Sequence, residues 1–303
     1  MTLLIIKILI LCWFVGSAIY VHLRGTVRMR LGRQLTDFST FLAPFNVFGY
    51  IFSKVPNTPY LEPETFPELQ LLRDNWETIR DEALKLDEIG EISAGTGMAF
   101  KSFYKADRWR RFYLNWYGKD YEAAVQHCPK TLEMIKGIPS INAALFVRLN
   151  PGKSLNRHRD PFSISLRYHL GLVTPNDDKC RIIVDGQPHT WRDGQDVIFD
   201  ETYIHEAKNE TDTARIILFC DVQRPMIGRI TNWFCGHLCK FIGVLTVANN
   251  KEPEHRNWIN DLLEKVLYPT SRFFQAKKAK NRRLYYFVKH LLILLILALI
   301  IFL

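Results

Sequence analysis

Two histidines and one aspartate in this chain have the residue types and spacing of a metal-ligand set. His158 and Asp160 stand two residues apart in NRHRDPFSISLRYHLGL (156–172). An extended backbone points both side chains the same way. His205 follows in DETYIHEAKN, after the apolar run VIFD. Two neutral imidazoles and a carboxylate fill three corners of an octahedron and leave three open, a donor set that suits Fe(II) with an oxoacid and dioxygen. Zinc hydrolysis can use the same ligand types, but it gives no purpose to the arginines nearby. A lone His-x-Asp recurs by chance in unrelated chains, so the reading rests on the conjunction of these residues.

Read as a strand, SISLRYHL alternates Ser163, Ser165, Arg167 and His169 on one face with Ile164, Leu166, Tyr168 and Leu170 on the other. The same rule sends Arg215, Ile217, Phe219 and Asp221 of ARIILFCDV to one side. An arginine carried inward must meet an anion, because an unpaired buried charge is costly. A dicarboxylate co-substrate, gripped bidentately by a guanidinium, meets that need. Arg157 and Arg159 receive no role from the spacing.

The elements that must position these residues change character along the chain. From Ile141 to Val222, the runs ALFVRL, ISLRYHLGLV, CRIIVD, HTWR, QDVIFD and ARIILFCDV are rich in β-formers and separated by NPG, TPNDD, DGQP and RDGQ. So many short strands predict an all-β unit, a barrel or jelly roll. Helices are predicted ahead of it. One covers 66–86, with Leu69, Leu72, Trp76, Ile79 and Leu84 near helical spacing, and one covers 121–136, stopped by Gly137 and Pro139.

The 303-residue chain is 48% hydrophobic and 13% aromatic, which excludes disorder as its default state. A net charge of +9 favours an anionic partner: nucleic acid, an anionic membrane surface or a phosphorylated substrate. Six scattered cysteines are too few for a disulfide framework. Cys235, His237 and Cys239 in FCGHLCK match no standard zinc spacing. KSFYKADRWRRFYLNWY (101–117) mixes Lys101, Lys105, Arg108, Arg110 and Arg111 with aromatics, as a phosphate-headgroup contact or a solvated basic helix or loop would.

Both ends point to a membrane. LLIIKILILCWFVGSAIYVHL (3–23) has the length of a bilayer span. Its basic residues, Arg24, Arg28, Arg30 and Arg33, follow the apolar run, which favours a retained anchor over a cleaved signal and places the downstream side in the cytoplasm. At the other end Lys277, Lys278, Lys280, Arg282 and Arg283 precede Tyr285, Tyr286 and an apolar tail that either spans or half-inserts. FLAPFNVFGYIF (41–52) reads equally as an interfacial or a core-docking segment. The expected map is an anchor at 1–23, a membrane-proximal linker at 24–65, a catalytic domain with helical lead-in at 66–226, a basic helical region at 227–283 and a second anchor at 284–303.

Over about 140–226 the sequence resembles the aspartyl/asparaginyl β-hydroxylase family of Fe(II) and 2-oxoglutarate dioxygenases, and within it the branch of bacterial lipid A 2-hydroxylases. RQLTDFSTFLAPFNVFGYIF, VPNTPYL and NRRLYYFVKHLL are similar to that membrane-bound branch as well. The resemblance implies a mainly-β core, a double-stranded β-helix or jelly roll, with flanking N-terminal helices and anchoring helices at both termini. It implies iron held by His158, Asp160 and His205, Arg215 on the distal carboxylate of 2-oxoglutarate, and Arg167 and His169 near the metal-binding end. The activity implied is hydroxylation of carbon 2 of a secondary acyl chain of lipid A at the cytoplasmic face of the bacterial inner membrane, with O2 as co-substrate and succinate and CO2 as co-products. The partners are then lipid and membrane, not nucleic acid. Another acyl lipid such as an aminolipid, protein Asp or Asn side chains, and a non-catalytic lipid-binding jelly roll are the alternatives. The protein hydroxylases of the family typically carry glycine where this chain keeps Asp160, and a serine that helps them bind 2-oxoglutarate aligns with Val147.

Overall fold

The computed structural model describes residues 2–93, 109–245, 249–251, 254–255 and, beyond these, 262, 265, 270, 273–274, 276–289, 291 and 295. The chain divides into two units, Trp13–His255 and a smaller one made of Met1–Cys12 and Arg256–Leu303. In the smaller unit, residues 276–280 and 282–289 are helical, and the expected C-terminal anchor lies largely outside the described residues.

The first helix, α1 (Thr2–Leu23), has 22 residues and is long and apolar enough to cross a membrane. At about 1.5 Å per residue it reaches roughly 33 Å, against a hydrocarbon core of roughly 30 Å. Its last turns are not bare: Val21 is buried with Ala18 against Ala43, Val47 and Tyr50. Residues 24–65, expected as a linker, instead fold into α2 (Leu31–Gln34), α3 (Phe38–Phe41), α4 (Ala43–Ile51) and the short strand β1 (Tyr60–Leu61). Gly49 lets α4 close on the polypeptide beside it, because a Cβ there would collide with Ser163 Oγ.

The expected helix over 66–86 is broken at Asn75 into α5 (Gln70–Asp74) and α6 (Trp76–Glu88). The Asn75 amide donates to the Leu71 carbonyl at 2.9 Å, a local bond that competes with helix propagation. Leu86, not Leu84, occupies the buried position in the last turn. After β2 (Trp109–Trp116) and β3 (Lys119–Asp120), the helix expected over 121–136 is also split, into α7 (Glu122–His127) and α8 (Pro129–Lys136). Pro129 lacks the N–H that would continue α7 and instead starts α8. Glu82 accepts from the backbone N–H groups of Lys130 and Thr131, at 3.1 and 2.9 Å, and so caps the new N-terminus.

The remaining strands are β4 (Ile141–Leu149), β5 (Ser154–His158), β6 (Ser165–Val173), β7 (Cys180–Val184), β8 (Gln187–Thr190), β9 (Asp196–Phe199), β10 (His205–Asn209) and β11 (Arg215–Gln223). They form a seven-stranded sheet in the order β1-β9-β6-β11-β4-β2-β3 and a four-stranded sheet in the order β5-β10-β7-β8. Every pairing is antiparallel, the jelly-roll arrangement expected from the strand pattern. The strand β2 was not foreseen. Its aromatic β-formers sit within a run dense in Lys and Arg, which read as a surface segment.

Strand β6 is central in the large sheet and nearly every residue in it is buried. Helix α6 packs on it, and the opposite face looks into the space between the sheets. The long helix α9 (Arg229–Leu245) closes one end, with Cys235 and Cys239 buried beside Ile164 and Met226. His237 points out to solvent and donates to the Trp233 carbonyl at 2.9 Å, so the three residues of FCGHLCK do not converge.

Candidate active site

Between the two sheets lies a cavity of about 190 Å³. His158 ends β5 and His205 begins β10, and the two are direct partners across that antiparallel pair, with ring centroids 4.3 Å apart. Asp160 is fixed just beyond, its backbone N–H donating to the Glu201 carbonyl at 2.9 Å. One ligand atom from each of His158, Asp160 and His205 lies within 4.8 Å of the others, and among the described residues no other group of His, Cys, Asp or Glu converges in this way.

The tautomers follow from the backbone. His158 Nδ1 faces the Asn156 carbonyl at 2.7 Å and His205 Nδ1 faces the Tyr203 carbonyl at 3.0 Å. A carbonyl only accepts, so each Nδ1 carries the proton and each Nε2 lone pair is free for a metal. Burial pushes the His205 imidazole down to about 4, with His158 adding to the effect, so the ring is neutral near pH 7. Burial alone would raise the Asp160 carboxyl, but Arg167 and the two imidazoles outweigh it and hold it at about 2. A neutral His205 beside an ionised Asp160 is the protonation state that a divalent metal requires of those two ligands.

Arg167 and Arg215 share this cavity. Arg167 Nη2 donates to Asp160 Oδ2 at 2.8 Å and also pairs with Glu201, while Nη1 pairs with Asp221, its cross-strand partner. Ser165 Oγ donates to Glu201 at 2.6 Å, and the Tyr117 hydroxyl donates to Asp221 at 3.1 Å. Burial raises the Glu201 and Asp221 carboxyls above their ordinary range. The pocket around Arg167 is therefore rich in carboxyl groups, of which Asp160 is the one held firmly ionised.

Arg215 has no such company. It is 1% exposed, its guanidinium lies 4.0 Å over the Trp191 ring, and its Nε and Nη1 have no hydrogen-bond partner among the described residues. Burial lowers its pKa to about 10, with only the Cys180 thiol acting against that. His169 lies 5.1 Å from each of the Phe199 and Phe219 rings, and neither of its ring nitrogens has a hydrogen-bond partner among the described residues. Burial, followed by the two arginines, drives its pKa well below 6.5.

The spacing left out Glu201, which sits in the turn between β9 and β10, and Trp191, which follows β8 into the core. Asp221 was on the expected face beside Arg215. Six residues of strand span roughly 20 Å, however, so the two cannot pair, and Asp221 reaches Arg167 instead. Of the basic segment, Lys101, Lys105 and Arg108 lie outside the described residues, Arg110 is exposed, and Arg111 is buried and lines the cavity. Val147 lines it too, as an apolar wall.

The end of α1 is joined to this region. Arg159, between two of the convergent residues, donates to the Val21 carbonyl at 3.0 Å. Arg24 pairs with Asp200 at 2.5 Å and lies over Tyr50 and Tyr203, while Asp200 also holds the fully buried Arg224 at 2.6 Å.

Comparison with known proteins gives the family of the chain. The family model described as Aspartyl/Asparaginyl beta-hydroxylase matches residues 73–225. The ornithine lipid ester-linked acyl 2-hydroxylase of Rhizobium tropici is 32% identical over 236 residues, covering 75% of this chain and 80% of that protein. The human aspartyl/asparaginyl beta-hydroxylase is 28% identical over 51% of this chain, which spans only 21% of that longer protein. Among solved structures, a Pseudomonas putida prolyl-4-hydroxylase aligns with a TM-score of 0.34 at 18% identity, over 52% of this chain and 87% of that one. On the match to half of its length, together with the Rhizobium tropici relative aligned over three quarters of it, the chain belongs to the aspartyl/asparaginyl beta-hydroxylase family.

Proposed function

We propose that this protein is a membrane-anchored Fe(II)- and 2-oxoglutarate-dependent hydroxylase acting on carbon 2 of an acyl chain of a lipid, lipid A in the first instance. The reaction would run at the cytoplasmic face of the inner membrane, in keeping with the basic residues that follow α1, and release succinate and CO2. The observation that carries the reading is Arg215, a buried cation with no anion beside it among the described residues, in the cavity where His158, Asp160 and His205 converge. Such a cation is costly unless a ligand supplies the carboxylate.

The residues fit the metal, since His158, His205 and Asp160 converge while each imidazole Nδ1 is turned to a backbone carbonyl, which leaves Nε2 for the ion. Fe(II) held by His158, Asp160 and His205 would supply, with 2-oxoglutarate and O2, the power to replace an unactivated C–H hydrogen by hydroxyl. Arg215 would bind the far carboxylate of the co-substrate, and Trp191 would hold the guanidinium flat for two parallel bonds. Arg167 would fix Asp160 Oδ2 and leave Oδ1 on the metal side. His169, Phe199 and Phe219 would keep water from the co-substrate.

The substrate end of the cavity favours an uncharged group. Arg167 is already surrounded by carboxyls, so it offers little to an acidic aspartyl side chain. Leu155, Phe162, Ile182, Ala207 and Ile242 line the same cavity, as an acyl chain requires. A second reading, an aminolipid substrate, is favoured by the Rhizobium tropici relative, which acts on the ester-linked acyl chain of ornithine lipid. Lipid mass spectrometry of cells lacking the protein, then complemented with the native chain or with His205→Ala, tests both. Lipid A should lose the mass of one oxygen atom on deletion and regain it only with the native chain. The same shift in an ornithine lipid would select the second reading, and no change in either would reject both.

A further inference from the structure

Helices α3, α4 and α9 carry an apolar face that nothing in the described chain covers. At about 100° per residue, Ile230, Trp233, Phe234 and Phe241 fall on one side of α9, opposite Cys235 and Cys239. Ile230 is 83% exposed and the other three are exposed as well. Phe41 and Phe45 are likewise exposed on the α3–α4 segment, with Phe38 beside them 69% exposed, while Phe48 and Phe52 on the same side are half-buried and pack toward α9. The two stripes meet where the Phe48 and Phe234 rings lie 6.2 Å apart. Soluble surfaces rarely leave so much contiguous aromatic area to water.

Three features identify what covers it. The charge at its margin is basic: residues 24–54 contain Arg24, Arg28, Arg30, Arg33 and Lys54 against Asp37 alone, and residues 227–245 contain Arg229 and Lys240 with no acid. Arg24 is spent on Asp200, but Arg28, Arg30, Arg33, Lys54, Arg229 and Lys240 are exposed. The face also continues a segment built for lipid, because α4 packs directly on the last turns of α1 through Ala43, Val47 and Tyr50. Finally it borders the cavity: Tyr117, Phe162 and Ile242 line the cavity and pack in the same cluster as Phe48, Phe52, Cys235 and Cys239.

We propose that the α3–α4 and α9 face lies in the headgroup layer of the anionic bilayer that α1 crosses, which brings the rim of the cavity to the lipid. Apolar and aromatic side chains on one side with lysine and arginine at the edge is the composition of a helix lying in that layer. The location of the face deepens the acyl-lipid reading and rests on it only for the identity of the molecule that enters.

The test uses the full chain with Cys12→Ser, in nanodiscs of phosphatidylethanolamine and phosphatidylglycerol, with a nitroxide on Ile230→Cys or Phe45→Cys and a control label on the exposed Asp178→Cys. Collision with dissolved oxygen is compared with collision with a water-soluble nickel chelate. The labels at 230 and 45 should show an oxygen-to-nickel ratio several-fold above that at 178, and the ratio should fall when phosphatidylcholine replaces phosphatidylglycerol. Labels as open to nickel as the control would overturn the proposal. So would labels shielded from both reagents, which would mean a protein cover: the chain's own C-terminal segment if removing 291–303 exposes them, or a second copy if spin–spin broadening appears. The readout needs no turnover, so its failure leaves the hydroxylase reading standing, and docking without lipid hydroxylation would do the reverse.

Discussion

Two arginines enter the same cavity from neighbouring strands of one sheet, and they meet opposite surroundings. Arg167 on β6 is ringed by Asp160, Glu201 and Asp221, whereas among the described residues Arg215 on β11 has a tryptophan face and a thiol but no carboxylate. The first cation is balanced within the protein and holds a candidate ligand in place. The second meets no carboxylate among the described residues, and in the proposed function the co-substrate supplies it. Identical side chains thus do different work because of what folding brings within 4 Å of them.

The largest expected effect breaks the balanced partner. Arg167→Met leaves three carboxyls crowded together without their cation, and should cost about 3–5 kcal/mol of stability, read by denaturant unfolding of the detergent-solubilised protein. A loss below 1 kcal/mol would mean that the carboxyls are balanced some other way. Arg215→Met is the contrast. Two charge-assisted bonds to a carboxylate are lost, so calorimetry with Mn(II) in place of iron should show 2-oxoglutarate binding weakened by on the order of 100-fold or more. Stability without the co-substrate should hold or rise, because a lone buried charge has been removed; an equal fall in both variants would erase the distinction.

Acid should act through the depressed imidazoles of His169 and His205. Above about pH 6.5 the folded and unfolded chains are both neutral at these positions. Below it the unfolded chain takes up protons that the buried rings refuse, so the metal-free protein should lose up to about 1.4 kcal/mol per pH unit for each histidine between pH 6.5 and the folded pKa. Unfolding curves at pH 7 and 5 measure this, and His169→Asn should flatten the slope by its share. The smallest effect sharpens the environment of Arg215: Trp191→Leu removes the ring beneath the guanidinium, worth about 0.5–2 kcal/mol, and should raise the KM for 2-oxoglutarate by about 2- to 30-fold with little change in kcat.

Much of the site was legible in the chain because it is written at short range. The His158/Asp160 spacing and the alternation of β6 and β11 are properties of an extended backbone, and they put His158 and Asp160 together and turned Arg167, His169 and Arg215 inward. The split of the two predicted helices was less legible, because a single Asn75 side-chain bond and the missing N–H of Pro129 act on one turn within an otherwise helical pattern. The strand at Trp109–Trp116 was hidden for another reason, its pairing with β4 thirty residues later being what buries Arg111.

By itself the sequence determined which faces of the strands are chemical and which are packing, and that a long apolar helix precedes a β-rich core. Only the tertiary structure decided which arginine is satisfied. Glu201 lies 34 residues from Arg167 in the chain, and Asp221 faces Arg167 across β11 and β6 while Arg215, on the same strand face, is too far away to share it. Charge balance in a buried site depends on distances of a few ångströms between distant segments. A local pattern can bring a cation inward, but it does not carry the information about what it meets there.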